Sequence, residues 1–231
     1  MLLRWMKHTF QDGPAFEKYR DAFIDENRVI FDIACEAVEK ANAAAERMHT
    51  DVNRIDFTVV DLETTGFFPD LGDEVLSIGA CRNEKQFYDT CSAFKPVPPF
   101  IEELTGLKQQ QINLSPSFPE ILTSYLSFQE GSVQAAYPAS FDLPFLQELL
   151  KRWQMPPLLV PGLDILELSR KTADKPDHRL DKWVSDLKLS TRRHHALEDA
   201  SAASTVLDYL FRQKRYHYLE EVPGYMAPGS Y

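Results

Sequence analysis

The chain has 231 residues, of which 44% are hydrophobic and 26% charged, and its formal net charge is −10 at pH 7. This length suits one catalytic domain with an extension, and the composition excludes an intrinsically disordered chain. The acidic balance argues against a protein that grips long duplex nucleic acid by bulk electrostatics, but not against one that holds a strand end.

The opening of the chain carries no export or membrane signal. No stretch approaches the roughly 18 uninterrupted apolar residues of a transmembrane helix. Arg4, Lys7 and His8 interrupt the opening MLLRWMKHTF, so we expect a soluble, unexported protein, with an interfacial amphipathic start as the alternative. The three cysteines form no CxxC spacing and predict neither disulfides nor a thiolate zinc site, so the cytoplasm fits best.

The first elements in chain order are helical. From Pro14 to Met48 Ala, Glu and Lys dominate, and apolar residues recur mostly at three- and four-residue steps. One kinked helix or two helices satisfy this pattern. We assign residues 1–55 to an N-terminal helical extension that packs on the catalytic domain, with binding of a protein partner as the alternative.

The pattern changes to an α/β domain at residues 56–215, followed by a tail at 216–231 that we expect to be irregular. A buried strand is predicted at Phe57–Leu62, and an antiparallel hairpin follows. Strands early and helices late, with alternation between them, indicate a mixed sheet flanked by helices. The predicted hairpin strands are Glu74–Arg82 and Gln86–Phe94; a further strand is Ser132–Ala136 and an extended piece reaches Asp164; the helices are Ile101–Thr105, Pro119–Gln129, Leu143–Trp153, Ile165–Lys171, Arg179–Leu187 and Ala196–Lys214.

Two carboxylates stand at the end of the first predicted strand, where residues 59–66 read VVDLETTG. Asp61 and Glu63 are two positions apart, so both side chains leave the strand on the same face and can share a metal ion. A buried carboxylate without a cation partner is costly, which favours that interpretation. A solvated acidic strand end is the structural alternative.

Small and aromatic residues follow this acidic pair. Thr64, Thr65 and Gly66 can approach a sugar-phosphate or a terminal hydroxyl closely, and the glycine would allow a turn with positive φ. Phe67 and Phe68 come next, and one of them could stack on a base. Packing in the core is the alternative for either ring.

Two later segments supply further acids and an imidazole. Asp142 follows the predicted strand Ser132–Ala136 and lies near a helix N-terminus, where it could instead serve as a cap. Asp199 lies in the first turns of the last long helix, and His194 and His195 precede it. A neutral imidazole near pH 7 is what activation of a water molecule requires, whereas His195 and Asp199 could also form a surface ion pair.

Four carboxylates are sufficient to hold a pair of divalent cations. Hydrolysis of a phosphodiester requires a nucleophile at neutral pH and stabilisation of the leaving oxygen, which two metal ions supply together. Because all the candidate ligands are oxygens, Mg²⁺ or Mn²⁺ is expected rather than zinc. The candidate ligands are Asp61, Glu63, Asp142 and Asp199.

These motifs, in this order, resemble the DEDDh 3′–5′ exonucleases, typified by the epsilon subunit of bacterial DNA polymerase III, with RNase T and oligoribonuclease as relatives. The resemblance covers roughly residues 57–212. VVDLETTG is similar to the first family motif, SFDLPFL at 140–146 to the second, and HHALEDA at 194–200 to the third. In the third motif the histidine stands five positions before the last aspartate, which selects His194 over His195.

The resemblance implies a ribonuclease H-like fold with a five-stranded mixed sheet and hydrolysis at single-stranded 3′ ends, DNA favoured, that releases nucleoside monophosphates. It implies that Asp61 bridges two metal ions, with Glu63 and Asp199 on the side of the attacking water, Asp142 on the other metal and His194 as general base. The implied substrate-binding residues are Leu62, Thr64, Thr65, Gly66 and Phe141.

One position departs from the family pattern, because Tyr137-Pro138 stands where the family usually has His-Asn, and this changes the wall beside the substrate. Residues 165–195 carry eight Lys/Arg against five Asp/Glu, a surplus that could guide a single strand or form a solvated face. Two rival functions stay open: trimming of RNA ends or short oligonucleotides, and a non-enzymatic module that docks on a polymerase.

Overall fold

The computed structural model describes residues 12–231, so the expectations for the opening segment lie outside the described residues. Across the described part of the chain, no helix is both long and apolar enough to cross a bilayer. The helices are α1 (Gly13–Glu26), α2 (Arg28–Ala45), α3 (Pro99–Thr105), α4 (Gln109–Ile112), α5 (Phe118–Gln129), α6 (Ala139–Arg152), α7 (Ile165–Thr172), α8 (Leu180–Asp186) and α9 (Ala196–Gln213); the strands are β1 (Asp56–Thr64), β2 (Val75–Arg82), β3 (Lys85–Thr90), β4 (Ser132–Ala136), β5 (Gly162–Asp164) and β6 (Tyr225–Met226).

The strands form one mixed sheet in the order β3-β2-β1-β4-β5-β6. β1 pairs antiparallel with β2 and parallel with β4, and β2 and β3 form the predicted hairpin. The mixed sheet flanked by helices is therefore confirmed, with six strands rather than five. The additional strand, β6, comes from the tail and pairs Met226 with Gly162 of β5. Its two residues are too few for a hydrophobic alternation, so no sequence pattern indicated it.

The N-terminal extension contains two helices. The helical conformation is interrupted at Asn27, whose φ of −124° and ψ of 39° separate α1 from α2. Phe16 of α1 and Val38 of α2 are buried in the same hydrophobic cluster as residues of α5 and α6. The two helices therefore add to the core on one face of the sheet.

Residues of β1 alternate between the two faces of the sheet. Val60 and Leu62 lie in the core formed with α5 and α6, whereas Val59 lies in the core formed with α7, α8 and α9. Asp61 and Glu63 share the parity of Val59, so the alternation directs both acids toward the side of α9. This confirms that the two acids leave β1 on the same face.

Close packing at Gly79 brings α9 onto the sheet. Gly79 of β2 is paired with Asp61 of β1, and a Cβ added at Gly79 would overlap the backbone of Ala196 and Leu197. A larger residue at this position would push the first turn of α9 away from the sheet. The glycine therefore sets how near the His194–Asp199 segment lies to Asp61.

Two predicted boundaries were wrong by four residues. α6 begins at Ala139, four residues before the predicted start, because the chain turns directly from β4 into the helix through Pro138. β3 ends at Thr90 rather than Phe94: the Cys91 N–H still donates to the Leu76 carbonyl at 2.8 Å, but the Ser92 N–H donates to the Pro116 carbonyl at 2.8 Å, away from β2.

Candidate active site

Three carboxylates from two elements converge beside the sheet. Asp61, Glu63 and Asp199 each offer an oxygen, and these oxygens lie within 4.8 Å of one another. Glu63 is 9% and Asp199 4% exposed. The strand supplies the first two side chains, and the first turn of α9 supplies the third. Residues separated by more than 130 positions in the sequence thus form one acidic cluster.

Asp142 approaches the same cleft from α6. It lies in the first turn of that helix, whose N-cap is Pro138, and it is 3% exposed. Its Oδ1 accepts a hydrogen bond from the Leu62 backbone N–H at 3.1 Å. Asp142 is therefore tied to β1, and the alternative that it caps its own helix does not describe it.

Burial raises the pKa values of all four acids, and repulsion from neighbouring acids adds to the rise for Asp61, Glu63 and Asp142. Desolvation is the largest cause in each case. The pKa of Glu63 rises to about 7, with a further contribution from Asp199, and that of Asp142 rises to about 8. The pKa of Asp61 rises well above its ordinary value, and the neighbouring acids contribute to that rise. The cluster therefore concentrates more negative charge than its surroundings stabilise.

His194 stands at the rim of the cleft in an unusual backbone conformation. Its φ is +60°, in the left-handed region that costs a residue with a Cβ about 1–2 kcal/mol. The His194 backbone N–H donates to Asp199 Oδ2 at 3.0 Å, which holds the segment in this conformation. The side chain is exposed and lines the cleft together with Asp61 and Asp142.

His195 lies elsewhere. It is the N-cap of α9, and its ring stacks on Tyr88 of β3 with centroids 4.6 Å apart. It is not among the residues that line the cleft. Of the two neighbouring histidines, only His194 is available to a molecule in the acidic cleft.

Arg193 also lines the cleft, although no sequence pattern selected it. Its guanidinium forms an ion pair with Asp199, and its Nε donates to Asp181 of α8 at 2.7 Å. One positive charge thus partly offsets the acidic cluster. The only signal in the sequence was its position next to His194 in a stretch rich in cations.

The cleft has a volume of about 310 Å³. Four of the five predicted substrate-binding residues line it: Leu62, Thr64, Gly66 and Phe141. Thr65 does not, because its hydroxyl accepts the Glu74 backbone N–H at 2.9 Å on the side away from the cleft. Tyr137 and Pro138, which we placed in the wall beside the substrate, and Phe67, a candidate for stacking on a base, also line the cleft, and the Phe67 ring is 73% exposed at the rim. Ile101 and Leu104 line the cleft without having been assigned to it.

Gly66 is required for a different reason from the one the sequence suggested. Its φ is not in the left-handed region, so the expectation of a positive-φ turn was wrong. A Cβ at this position would instead overlap the carboxylate of Asp73. The glycine allows that carboxylate to pass close to the backbone and accept the Phe68 N–H at 2.9 Å.

The basic stretch at 165–195 is largely neutralised within itself. Lys175 and Lys182 both pair with Asp186, at 2.9 and 2.5 Å. Internal pairing favours a solvated face over a track for a nucleic-acid strand. The cations of the stretch that have acidic partners are Arg170, Lys171, Lys175, Arg179, Lys182 and Arg193.

The acidic cluster fits a hard divalent cation. Its donors are carboxylate oxygens only, which is the ligand set that Mg²⁺ and Mn²⁺ prefer. Among residues 12–231, neither the Asp61 nor the Glu63 carboxylate accepts a hydrogen bond, so both have free lone pairs facing the cleft. Close oxygens, free lone pairs and unbalanced negative charge together describe a cation site.

Sequence comparisons point to one group of proteins. The RNase T family model, described as exonuclease, matches residues 58–207. The PolC-type DNA polymerase III of Caldanaerobacter subterraneus subsp. tengcongensis is 34% identical over 160 residues, which are 65% of this chain and 11% of that protein. The PolC-type polymerase of Streptococcus mutans is 25% identical over 196 residues, which are 81% of this chain and 13% of that protein. The chain thus spans little more than a tenth of the length of these relatives.

Solved structures share the fold. The nuclease domain of 3′hExo, a DEDDh family member bound to rAMP, superposes with a TM-score of 0.61 at 16% identity, covering 70% of this chain and 94% of that one. Exonuclease X in complex with 5′ overhanging duplex DNA gives 0.57 at 15% identity, covering 72% and 97%. E. coli Exonuclease I in complex with a dT13 oligonucleotide gives 0.58 at 15% identity, covering 69% and 41%.

Proposed function

This chain belongs to the DEDDh 3′–5′ exonuclease family, and from that premise we propose that it removes nucleoside monophosphates from the 3′ ends of single-stranded nucleic acid with the help of two divalent cations. The observation that carries the proposal is the convergence of four buried or half-buried acids from β1, α6 and α9 in one cleft, with an exposed histidine at its rim. This arrangement serves hydrolysis and offers nothing to a module that only docks.

The four acids would hold the metal ions. Asp61, Glu63 and Asp199 are near enough to one another to bind one cation together, and Asp142 faces the same cleft from α6. When bound, Mg²⁺ or Mn²⁺ supplies a nucleophilic water at neutral pH and neutralises charge on the leaving oxygen.

His194 would accept the proton of the attacking water. An imidazole is the side chain best suited to accept a proton near neutral pH. The contact between the His194 backbone and Asp199 holds the imidazole beside the cation ligands. His195, whose ring stacks on Tyr88, would have no part in the reaction.

The cleft walls would seat the terminal nucleotide. Thr64, Gly66 and Leu62 would face its sugar, and the exposed ring of Phe67, with Phe141 behind it at 5.9 Å, would stack on a base. Tyr137 and Pro138 form the wall where the family usually has His-Asn. The curated relatives are DNA polymerases, which supports DNA as the substrate.

The exonuclease domain would comprise residues 56–215, with 1–55 as the helical extension and 216–231 as the tail. The three cysteines are free, which suits a reducing cytoplasm. A protein partner would bind to the N-terminal helices.

The proposal is tested by digesting matched DNA and RNA oligonucleotides labelled at the 5′ end, with free or blocked 3′ ends, with Mg²⁺ or with EDTA. We expect a ladder that shortens from free 3′ ends, in Mg²⁺ only, and faster on DNA. Faster digestion of RNA would assign the chain to RNA trimming instead. Asp61→Ala serves as the inactive control, and activity that survives both EDTA and this substitution would overturn the proposal.

A further inference from the structure

The N-terminal helix α1 packs against the C-terminal end of α6. The Phe16 ring is 4% exposed and meets Trp153 edge to face, with centroids 5.7 Å apart, and meets Phe94 at 5.8 Å. Phe23 of the same helix meets Trp153 at 5.3 Å. Aromatic pairs at these distances contribute stability beyond that of the area they bury, so α1 has a defined position on α6.

Arg152, the last residue of α6, is held by α1. Its guanidinium carbon lies 4.3 Å from the centre of the Phe16 ring, which is a cation–π contact. Its backbone carbonyl accepts a hydrogen bond from Arg20 Nη1 at 2.9 Å. Two residues of α1 therefore fix both the side chain and the backbone of Arg152.

Arg152 in turn holds the turn before β2. Its Nη1 donates to the Asp73 backbone carbonyl at 2.8 Å, across 79 positions of sequence. The next residue, Glu74, accepts the backbone N–H groups of Phe94 and Lys95 at 3.0 and 2.9 Å. The turn is thus anchored from two directions.

This turn fixes the loop that forms one wall of the cleft. Asp73 Oδ2 accepts the Phe68 N–H at 2.9 Å, and the Thr65 N–H donates to the Glu74 carbonyl at 2.9 Å. Between these two anchors lie Gly66 and Phe67, both of which line the cleft. Direct contacts therefore run from α1 through Arg152 and Asp73 to the cleft wall.

We propose that α1 is a positioning element of the exonuclease, which holds the loop at residues 65–68 in the conformation that receives the terminal nucleotide. This inference rests on the proposed function for its consequence, because the loop matters only if a nucleotide binds there. The helix touches no substrate and acts through Arg152. Weakening its seat should loosen the loop and lower affinity while the acids stay in place.

The test compares two buried phenylalanines of the extension. Phe16→Ala removes the ring under Arg152, whereas Phe31→Ala removes a ring of α2, which packs on α5. Both substitutions take the same atoms from the same core, so they separate the specific contact from general loss of stability. Two readouts are used: hydrogen–deuterium exchange of residues 65–74, and kcat and KM on a 5′-labelled single strand with Mg²⁺.

We expect Phe16→Ala to speed exchange in residues 65–74 and to raise KM roughly tenfold with kcat changed much less, as expected for loss of uniform binding. Phe31→Ala should change neither. Arg20→Gln removes the contact to the Arg152 carbonyl, together with the ion pair to Asp21 on the same helix, and leaves the Phe16 ring in place. It should shift both readouts in the same direction by less, and it replaces Phe16→Ala if that variant does not fold.

Equal loop exchange in the Phe16→Ala and Phe31→Ala proteins would overturn the inference, as would unchanged KM in both Phe16→Ala and Arg20→Gln. If the wild-type protein degrades no substrate, the proposed function fails instead. The exchange comparison then still decides whether α1 holds the loop.

Discussion

Two pairs of acids lie on either side of the loop at residues 65–68: Asp61 and Glu63 precede it, and Asp73 and Glu74 follow it. The two pairs are stabilised in opposite ways. Glu74 accepts two backbone N–H groups, and Arg152 lies close enough to lower its pKa against the effect of burial. Asp61 and Glu63 accept no hydrogen bond within residues 12–231, and their nearest charged neighbours include other acids.

The contrast between Glu74 and the Asp61–Glu63 pair shows that burial of a carboxylate does not by itself mark a catalytic site. Burial raises the pKa of Glu74 as it raises the pKa values of Asp61 and Glu63. What separates them is the supply of donors: the Asp73–Glu74 pair has donors inside the protein, whereas Asp61 and Glu63 leave their oxygens for a ligand from outside. The Asp73–Glu74 pair should therefore matter for stability and the Asp61–Glu63 pair for catalysis.

The largest effect is expected for Asp61→Asn. Loss of a carboxylate that would hold the cations should lower kcat by about 10³-fold or more, since metal ions contribute several kcal/mol of transition-state stabilisation. The free energy of unfolding in EDTA should stay the same or rise, because one repelling charge is removed. Single-turnover digestion and urea unfolding measure the two quantities. If Asp61→Asn lost stability together with activity, Asp61 would serve folding as Glu74 does, and the distinction between the two pairs of acids would fail.

The next effect separates two adjacent histidines. His194→Gln should lower kcat by about 10²-fold or more, the range for a general base, with metal binding retained. His195→Gln is the matched control and should leave kcat nearly unchanged, because that ring stacks on Tyr88 outside the cleft. Equal losses in the two variants would remove His194 from the role of base.

The acids of the cluster could be found in the sequence because their pattern is local. Spacing by two in a strand placed Asp61 and Glu63 on one face, and the five-residue spacing before Asp199 selected His194 once the family resemblance was recognised. The strand Ser132–Ala136 was predicted with the bounds that the structure has. Local periodicity decides such features.

Other features depend on contacts between distant segments and could not be predicted. Gly66 is required by Asp73, seven residues later, and Gly79 by the backbone of α9. Arg193 was one of eight cations in its stretch, and only the fold brings it to Asp199. The line from Phe16 to Asp73 joins residues from three separate parts of the chain. Sequence spacing carries no signal for such packing.

A smaller effect is expected when pH is varied without metal. The folded-state pKa values of Glu63 and Asp142, about 7 and about 8, lie above their ordinary values, so the folded protein binds these protons more tightly than the unfolded chain does. Stability in EDTA should therefore fall as pH rises from about 5 to about 8, by about 1.4 kcal/mol per pH unit for each excess proton.

Urea unfolding in EDTA across this range measures the slope, and Asp142→Asn should make it shallower. Saturating Mg²⁺ should raise stability more at pH 8 than at pH 5, because the ionised cluster binds cations. A stability that rises with pH in EDTA would contradict the assignment of unbalanced charge to the cluster.

The smallest effect is expected for Glu74→Gln, which tests whether the Asp73–Glu74 pair serves stability. The amide keeps one acceptor oxygen but turns an N–H₂ group toward a backbone N–H that the carboxylate had satisfied, either at Phe94 or at Lys95. Leaving one buried donor without an acceptor should lower the free energy of unfolding by roughly 1–3 kcal/mol. The chemical step should be nearly unaffected, because the four acids and His194 keep their places, so kcat should change far less than in Asp61→Asn.

Asp61→Asn is also the control for stability, since the same kind of substitution there removes repulsion rather than a satisfied acceptor. If Glu74→Gln proved as stable as the wild type, the Asp73–Glu74 pair would not anchor the cleft wall, and the two pairs of acids would differ in position only.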